Sequence, residues 1–196
     1  MDHFTVFPDK DIDPNGLISK VFAELDVASF HQACAYVHHL PYGYNTHRDD
    51  LMSLFEEGRG SCTTKHAVIA TLASELGLPV RKWIGIYAMT EALVTGAGAI
   101  IERHALAYLP MIHCFLSDGT HRVDLTEGNA NGKNGPVDEF LHTAAVDAAI
   151  SEKDEYLLYR TTLKDRILKR EEFQNVEMKT ILRAREEGLA LLKAKI

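Results

Sequence analysis

GRGSCTTKHAVIATLASELGLP, residues 58–79, is the stretch on which the reading of this chain turns. Two glycines flank Arg59, and a serine and a cysteine then lead into a long helix-forming run. Ser61 stands where an N-cap belongs, Gly77 stands at the C-terminal end and Pro79 blocks continuation, so the segment predicts a helix over 61–76. A core cysteine would fall in the middle of an apolar face. Cys62 falls instead in the first turn, where unsatisfied N–H groups and the helix dipole favour an anion. Such a setting lowers a thiol pKa and makes the sulfur a nucleophile for acyl or amide carbon. The backbone N–H of Cys62 can also donate to the oxyanion that the attack creates.

The next segments turn to strands. VRKWIGIYAM, 80–89, is rich in β-branched and aromatic residues and predicts a strand, whereas 90–109 is ambiguous because two glycines weaken its helical pattern. MIHCFL and HRVDLT flank Ser117-Asp118-Gly119-Thr120, and Asp-Gly suits a two-residue hairpin turn. With that turn Ser117 faces Thr120, Phe115 faces Arg122 and His113 faces Asp124. Directly opposed residues share a face with Cβ atoms about 4.5–5.5 Å apart, so the register alone sets an imidazole beside a carboxylate. That pairing fixes a histidine tautomer and stabilises its protonated form. Cys62, His113 and Asp124 are therefore the candidate nucleophile, base and orienter.

Before Ser61 the pattern is helical. LISKVFAEL and ASFHQACAYVHHL are two helices broken near Asp26, LPYGYNTHRDD (40–50) is a loop, and DDLMSLFEE is a short helix with an aspartate as its N-cap. Beyond the hairpin, 129–136 is a loop. From about 150 the chain is charged and helix-prone, ending in a helix with apolar Met178, Ile181, Leu182, Leu189 and Leu192, which is expected to cover the core. There is no internal repeat.

With 196 residues, the chain suits one domain, 1–196, with a core over about 28–148 and a helical extension over about 150–196. A formal charge of −7 with no basic face argues against nucleic acid as a partner. No apolar run reaches the roughly 18 residues of a membrane span, and the acidic N-terminus is not a signal peptide. Cys34, Cys62 and Cys114, three cysteines without framework spacing, fit free thiols in a reducing compartment, so a cytoplasmic location is expected.

Taken together, a GxC at a helix start, a helix ending near GLP, a strand, and a later H…DG…VDLT hairpin resemble the transglutaminase-like superfamily. The matching segments are about 58–88 and 111–127. The resemblance implies a papain-like α+β fold: an N-terminal helical part whose nucleophile helix packs on an antiparallel sheet, with C-terminal helices covering. It also implies Cys62 as nucleophile, His113 as base and Asp124 as orienter. Cys114 and Phe115 replace the family's usual small residue and tryptophan, and Leu125 replaces its usual proline. The loop before the nucleophile, Tyr42 to Asn45, is where papain-like folds often place an oxyanion donor, which makes Asn45 and Tyr44 candidates. Arg59 is a candidate for holding a substrate carboxylate. His66, one turn after Cys62 on the same helix face, either assists the thiolate, ligates a metal with Cys62, or is simply a packed or surface histidine.

The expected function is a hydrolase or acyl transferase that attacks an amide or ester bond through an acyl-enzyme, in the manner of a thiol protease or amidase. Hydrolysis is preferred because no acceptor site is legible. The expected substrate is a peptide or an amide-containing small molecule, with no cofactor, metal, membrane or nucleic acid. The alternatives are a catalytically inactive binding or scaffold module of the same fold, or a thiol redox or zinc-binding protein. No Cys-x-x-Cys or His-x-x-x-His pair supports zinc.

Overall fold

The computed structural model describes residues 3–196 and divides into two compact units. The first takes in the chain up to Ile84, Cys114–Asn129 and Ala145–Ile150; the second takes in Gly85–His113, Ala130–Ala144 and Ser151–Ile196. Helices and a four-stranded sheet make the class α+β.

In the first unit, α1 (Leu17–Glu24), α2 (Phe30–His39) and α3 (Ser53–Glu57) pack around α4 (Cys62–Glu75). The α4 sequence has no polar face, and the helix is buried nearly all round, with Val68, Ile69, Leu72 and Ala73 wholly inaccessible. Phe22 and Phe30 complete this core from α1 and α2. The end of α4 follows the expected punctuation: Gly77 takes a left-handed φ of 69°, and Leu78 N–H reaches back to the Ala73 carbonyl at 2.8 Å. The last turn of α4 also serves α1. The Glu75 carboxylate accepts the N–H groups of Ile18 (3.0 Å) and Ser19 (2.7 Å), taking up first-turn amides of α1 from a residue far along the chain.

Two helix starts depart from expectation. Ser61 occupies the N-cap position of α4, but its side chain makes no capping hydrogen bond. The short helix begins at Ser53 rather than beside Asp49 and Asp50, because Asp50 turns its carboxylate to the Met52 N–H at 2.9 Å and shapes the preceding loop.

The sheet has the order β3-β2-β1-β4, from β1 (Arg81–Met89), β2 (Leu109–Ser117), β3 (Arg122–Val123) and β4 (His142–Ala145). Strands β2 and β3 are antiparallel, with Leu116 opposite Val123 and Ser117 opposite Arg122. This corrects the two-residue turn. Four residues, Asp118–His121, form the loop, because the Asp118 carboxylate gathers the N–H groups of Thr120 (2.8 Å) and His121 (2.7 Å). The ladder stops at Val123, so Asp124 lies past the strand's end, and continuing the register would set it opposite Phe115, not His113. A slip of two residues preserves the face of every side chain.

The second unit contains α5 (Ala97–Arg103), which resolves the ambiguous segment, together with α6 (Glu152–Thr162) and α7 (Met178–Lys193). Tyr159 donates its hydroxyl to the Pro110 carbonyl at 2.8 Å. Gly188 brings α7 close to the start of β2, since a Cβ there would stand 2.7 Å from Leu109 Cδ2. Among the described residues no helix is long and apolar enough to cross a membrane.

Candidate functional site

The approach to Cys62 is built on backbone. Gly58 ends α3 in the left-handed region at φ 61°, which explains the first glycine of the opening motif. Gly60 explains the second. It forms a parallel bridge with Tyr42, and a Cβ on it would fall 2.8 Å from Thr64 Oγ1 and 2.9 Å from Leu54 Cδ1. The bridge lays the extended 41–43 segment alongside the residue two before Cys62. Cys62 itself is 9% exposed, and the first turn of α4 carries no side-chain cap that would compete for its amides.

Tyr44 is the companion of this thiol. Its phenol is pushed up to about 12, first by burial and then by the nearby Cys62, with the hydrogen bond from Tyr42 pulling the other way. Tyr44 is therefore a neutral O–H donor across the whole physiological range. Cys34, by contrast, is completely enclosed, and burial pushes its thiol up.

Asn45 has a different occupation from the oxyanion role. Its amide donates to the carbonyls of Ser53 (3.2 Å) and Arg59 (3.0 Å), and its oxygen accepts from Thr64 Oγ1 (2.8 Å). The donor hydrogens thus close the 45–59 loop on itself, and the oxygen fastens it to α4. Arg59 is exposed and pairs with Glu57 at 3.2 Å, so it lies on the surface beside the motif.

His66 is wholly buried. Its Nε2 accepts the Leu125 N–H at 2.8 Å, and its Nδ1 lies 2.6 Å from the Cys62 carbonyl, which can only accept. The two contacts demand a neutral ring protonated at Nδ1. Asp124 Oδ1 stands 3.4 Å from Nε2. That distance would be an ion pair for a charged imidazole, but the Leu125 amide needs the bare nitrogen, so the contact is not one. Asp124 Oδ1 also accepts the N–H (2.8 Å) and hydroxyl (2.7 Å) of Thr126, fixing the turn past β3.

Lys65 is the residue that the sequence reading missed. It is fully buried, and its ammonium donates to the carbonyls of His38 (3.2 Å) and Leu40 (2.5 Å) and to the Asn129 side chain. Burial drags its pKa down to about 8, against the opposing pull of Asp124. The available signal was a lysine on a helix with no polar face.

His113 belongs to the second unit, where it is 1% exposed and meets the Tyr87 ring edge-on at 6.3 Å between centroids. Its chain neighbour Cys114 belongs to the first unit, where its sulfur is in hydrogen-bond contact with Thr63 Oγ1 at 3.8 Å. Among the described residues no group of His, Cys, Asp or Glu is arranged to hold a metal ion.

A model of the transglutaminase-like superfamily core matches residues 22–120, just over half of the 196. The chain belongs to the transglutaminase-like superfamily. Its members are typically cysteine-based hydrolases and acyltransferases. The superfamily match includes Cys62 and His113 and stops short of Asp124. Where the superfamily's usual hairpin carries a tryptophan, this chain has Phe115, and its single tryptophan, Trp83, stacks on that ring at 6.4 Å. No curated protein and no solved structure matches the chain.

Proposed function

We propose that this protein is a thiol-dependent hydrolase or acyl transferase that works on an amide or ester bond through Cys62, His113 and Asp124. The observation that carries the reading is the setting of Cys62. It is a thiol in an uncapped first helical turn, close enough to Tyr44 that its charge adds to burial in pushing that phenol up, in a chain of this superfamily.

In the proposed sequence the Cys62 thiolate attacks the carbonyl carbon, and the oxyanion takes hydrogen bonds from the Cys62 amide and Tyr44 Oη. His113 gives its proton to the leaving amine or alcohol, and the acyl group stays on sulfur. Water then attacks the thioester with His113 taking its proton, which frees the acid and restores the thiol. Asp124 orients His113 and stabilises its charged form. His66 is not the base, since both of its nitrogens are engaged. The expected substrate is a peptide or an amide-bearing small molecule, with water as the preferred acceptor.

Labelling with an acyl-type thiol electrophile, followed by peptide mapping, tests the reading. Modification concentrated on Cys62 and lost in Cys62→Ala supports it. Equal modification of the three cysteines overturns it.

A further inference from the structure

The mechanism above gives Asp124 the task of holding His113, yet Asp124 sits past the end of a two-residue strand, where the ladder no longer fixes it. Other groups must hold this segment. The Leu125 peptide is gripped from both sides: His66 Nε2 accepts its N–H at 2.8 Å, and His38 Nδ1 donates to its carbonyl at 3.1 Å. Four residues on, Asn129 accepts from Lys65 and donates to the His38 carbonyl at 3.0 Å. The segment is thus tied to α4 through two consecutive buried side chains, Lys65 and His66. Of these, His66 alone also reaches the nucleophile's own peptide, at the Cys62 carbonyl.

We propose that His66 is a positioning residue: its neutral, Nδ1-protonated ring bridges the Cys62 carbonyl and the Leu125 amide, and so fixes the Asp124 carboxylate relative to the turn that carries the nucleophile. The inference rests on the triad reading of the preceding section. The neutral form is integral to it. A proton on Nε2 would abolish the acceptor for Leu125 and offer a donor to Asp124 Oδ1, 3.4 Å away, diverting the carboxylate from His113. The Asp124 carboxylate faces this ring at 3.4 Å, and Lys65 and His38 belong to the surrounding network.

The test compares the pH profile of Cys62 alkylation by iodoacetamide in the wild type, His66→Gln, His66→Leu, Asp124→Asn and the His66→Leu/Asp124→Asn double variant. Glutamine can still accept the Leu125 N–H, whereas leucine cannot. His66→Leu is expected to slow alkylation at neutral pH about tenfold or more, as a displaced catalytic group would. It should shift the profile in the same direction as Asp124→Asn, and the double variant should add little to either single change. His66→Gln should restore most of the wild-type profile. A His66→Leu variant that melts earlier but keeps the wild-type profile, or adds fully to Asp124→Asn, overturns the positioning role and leaves the triad standing. An ordinary thiol profile in the wild type overturns the triad and this inference with it. If His66→Leu fails to fold, the imidazole nitrogen shifts of ¹⁵N-labelled wild type, assigned through His66→Gln, decide. A bare Nε2 supports the bridge, and a protonated Nε2 refutes it.

Discussion

The Lys65 ammonium donates to the Leu40 carbonyl at 2.5 Å from a site with no solvent access, and this burial has a measurable linkage. Its folded pKa of about 8 lies below the unfolded value of 10.5. Between those two values the unfolded chain binds the extra proton, so this group makes stability rise with pH across that window; below about 8 both states are charged and the burial penalty is present in full. Buried Cys34 and Tyr44, whose pKa values are raised, pull the other way above about pH 9, so the contribution of Lys65 is read as a difference. Wild type minus Lys65→Met, by urea unfolding from pH 7 to 10.5, should rise by up to about 3 kcal/mol. Identical slopes in the two proteins would show that Lys65 keeps an ordinary pKa.

The three thiols should separate by reactivity. Cys34 and Cys114 are completely inaccessible, and Cys62 sits at a helix start with a thread of exposure. Brief iodoacetamide treatment at neutral pH is expected to modify Cys62 well ahead of the other two, as read by peptide mapping. Cys62→Ala should change the melting temperature little and abolish any turnover.

Tyr44 and Asn45 are neighbours with opposite expected phenotypes. Tyr44→Phe removes the proposed oxyanion donor, and acyl-enzyme formation should fall by about 10²-fold, the scale of losing one such donor, with stability nearly unchanged. Asn45→Ala breaks three hydrogen bonds of a partly buried anchor, and should cost about 1–3 kcal/mol in a denaturant titration. The reverse pattern would return the oxyanion role to Asn45.

Gly60→Ala should also destabilise. The added methyl would stand 2.8 Å from Thr64 Oγ1, 2.9 Å from Leu54 Cδ1 and 3.1 Å from Lys65 Cγ, so α3 and α4 must give way together. Overpacking of this kind costs about 1–3 kcal/mol. Gly58→Ala meets no neighbouring atom but is forced to adopt a left-handed φ, so its cost should be smaller and purely conformational.

What the sequence made legible was strongly local. The span of α4, the placement of Cys62 and the left-handed Gly77 follow from caps, glycines and proline within a few residues of one another. The hairpin loop was harder, because Asp-Gly suits a two-residue turn and only the reach of the Asp118 carboxylate to two later amides shows the wider loop. Strand β4, His142–Ala145, has neither β-branched density nor alternation and draws its identity from the sheet. Lys65, His66 and Asn45 share one difficulty. Each is satisfied by backbone groups between 4 and 59 residues away, and no composition or spacing rule announces such partners.

Glu75, which supplies acceptors to the Ile18 and Ser19 amides, also has something to say about synthesis. A helix of eight residues is too short to persist alone in water, and α1 obtains these acceptors only when the chain has grown past residue 75. A nascent chain on the ribosome therefore holds its first helix unfinished until α4 has emerged behind it. Truncations ending before and after Glu75 should differ abruptly in the hydrogen-exchange protection of Ile18 and Ser19.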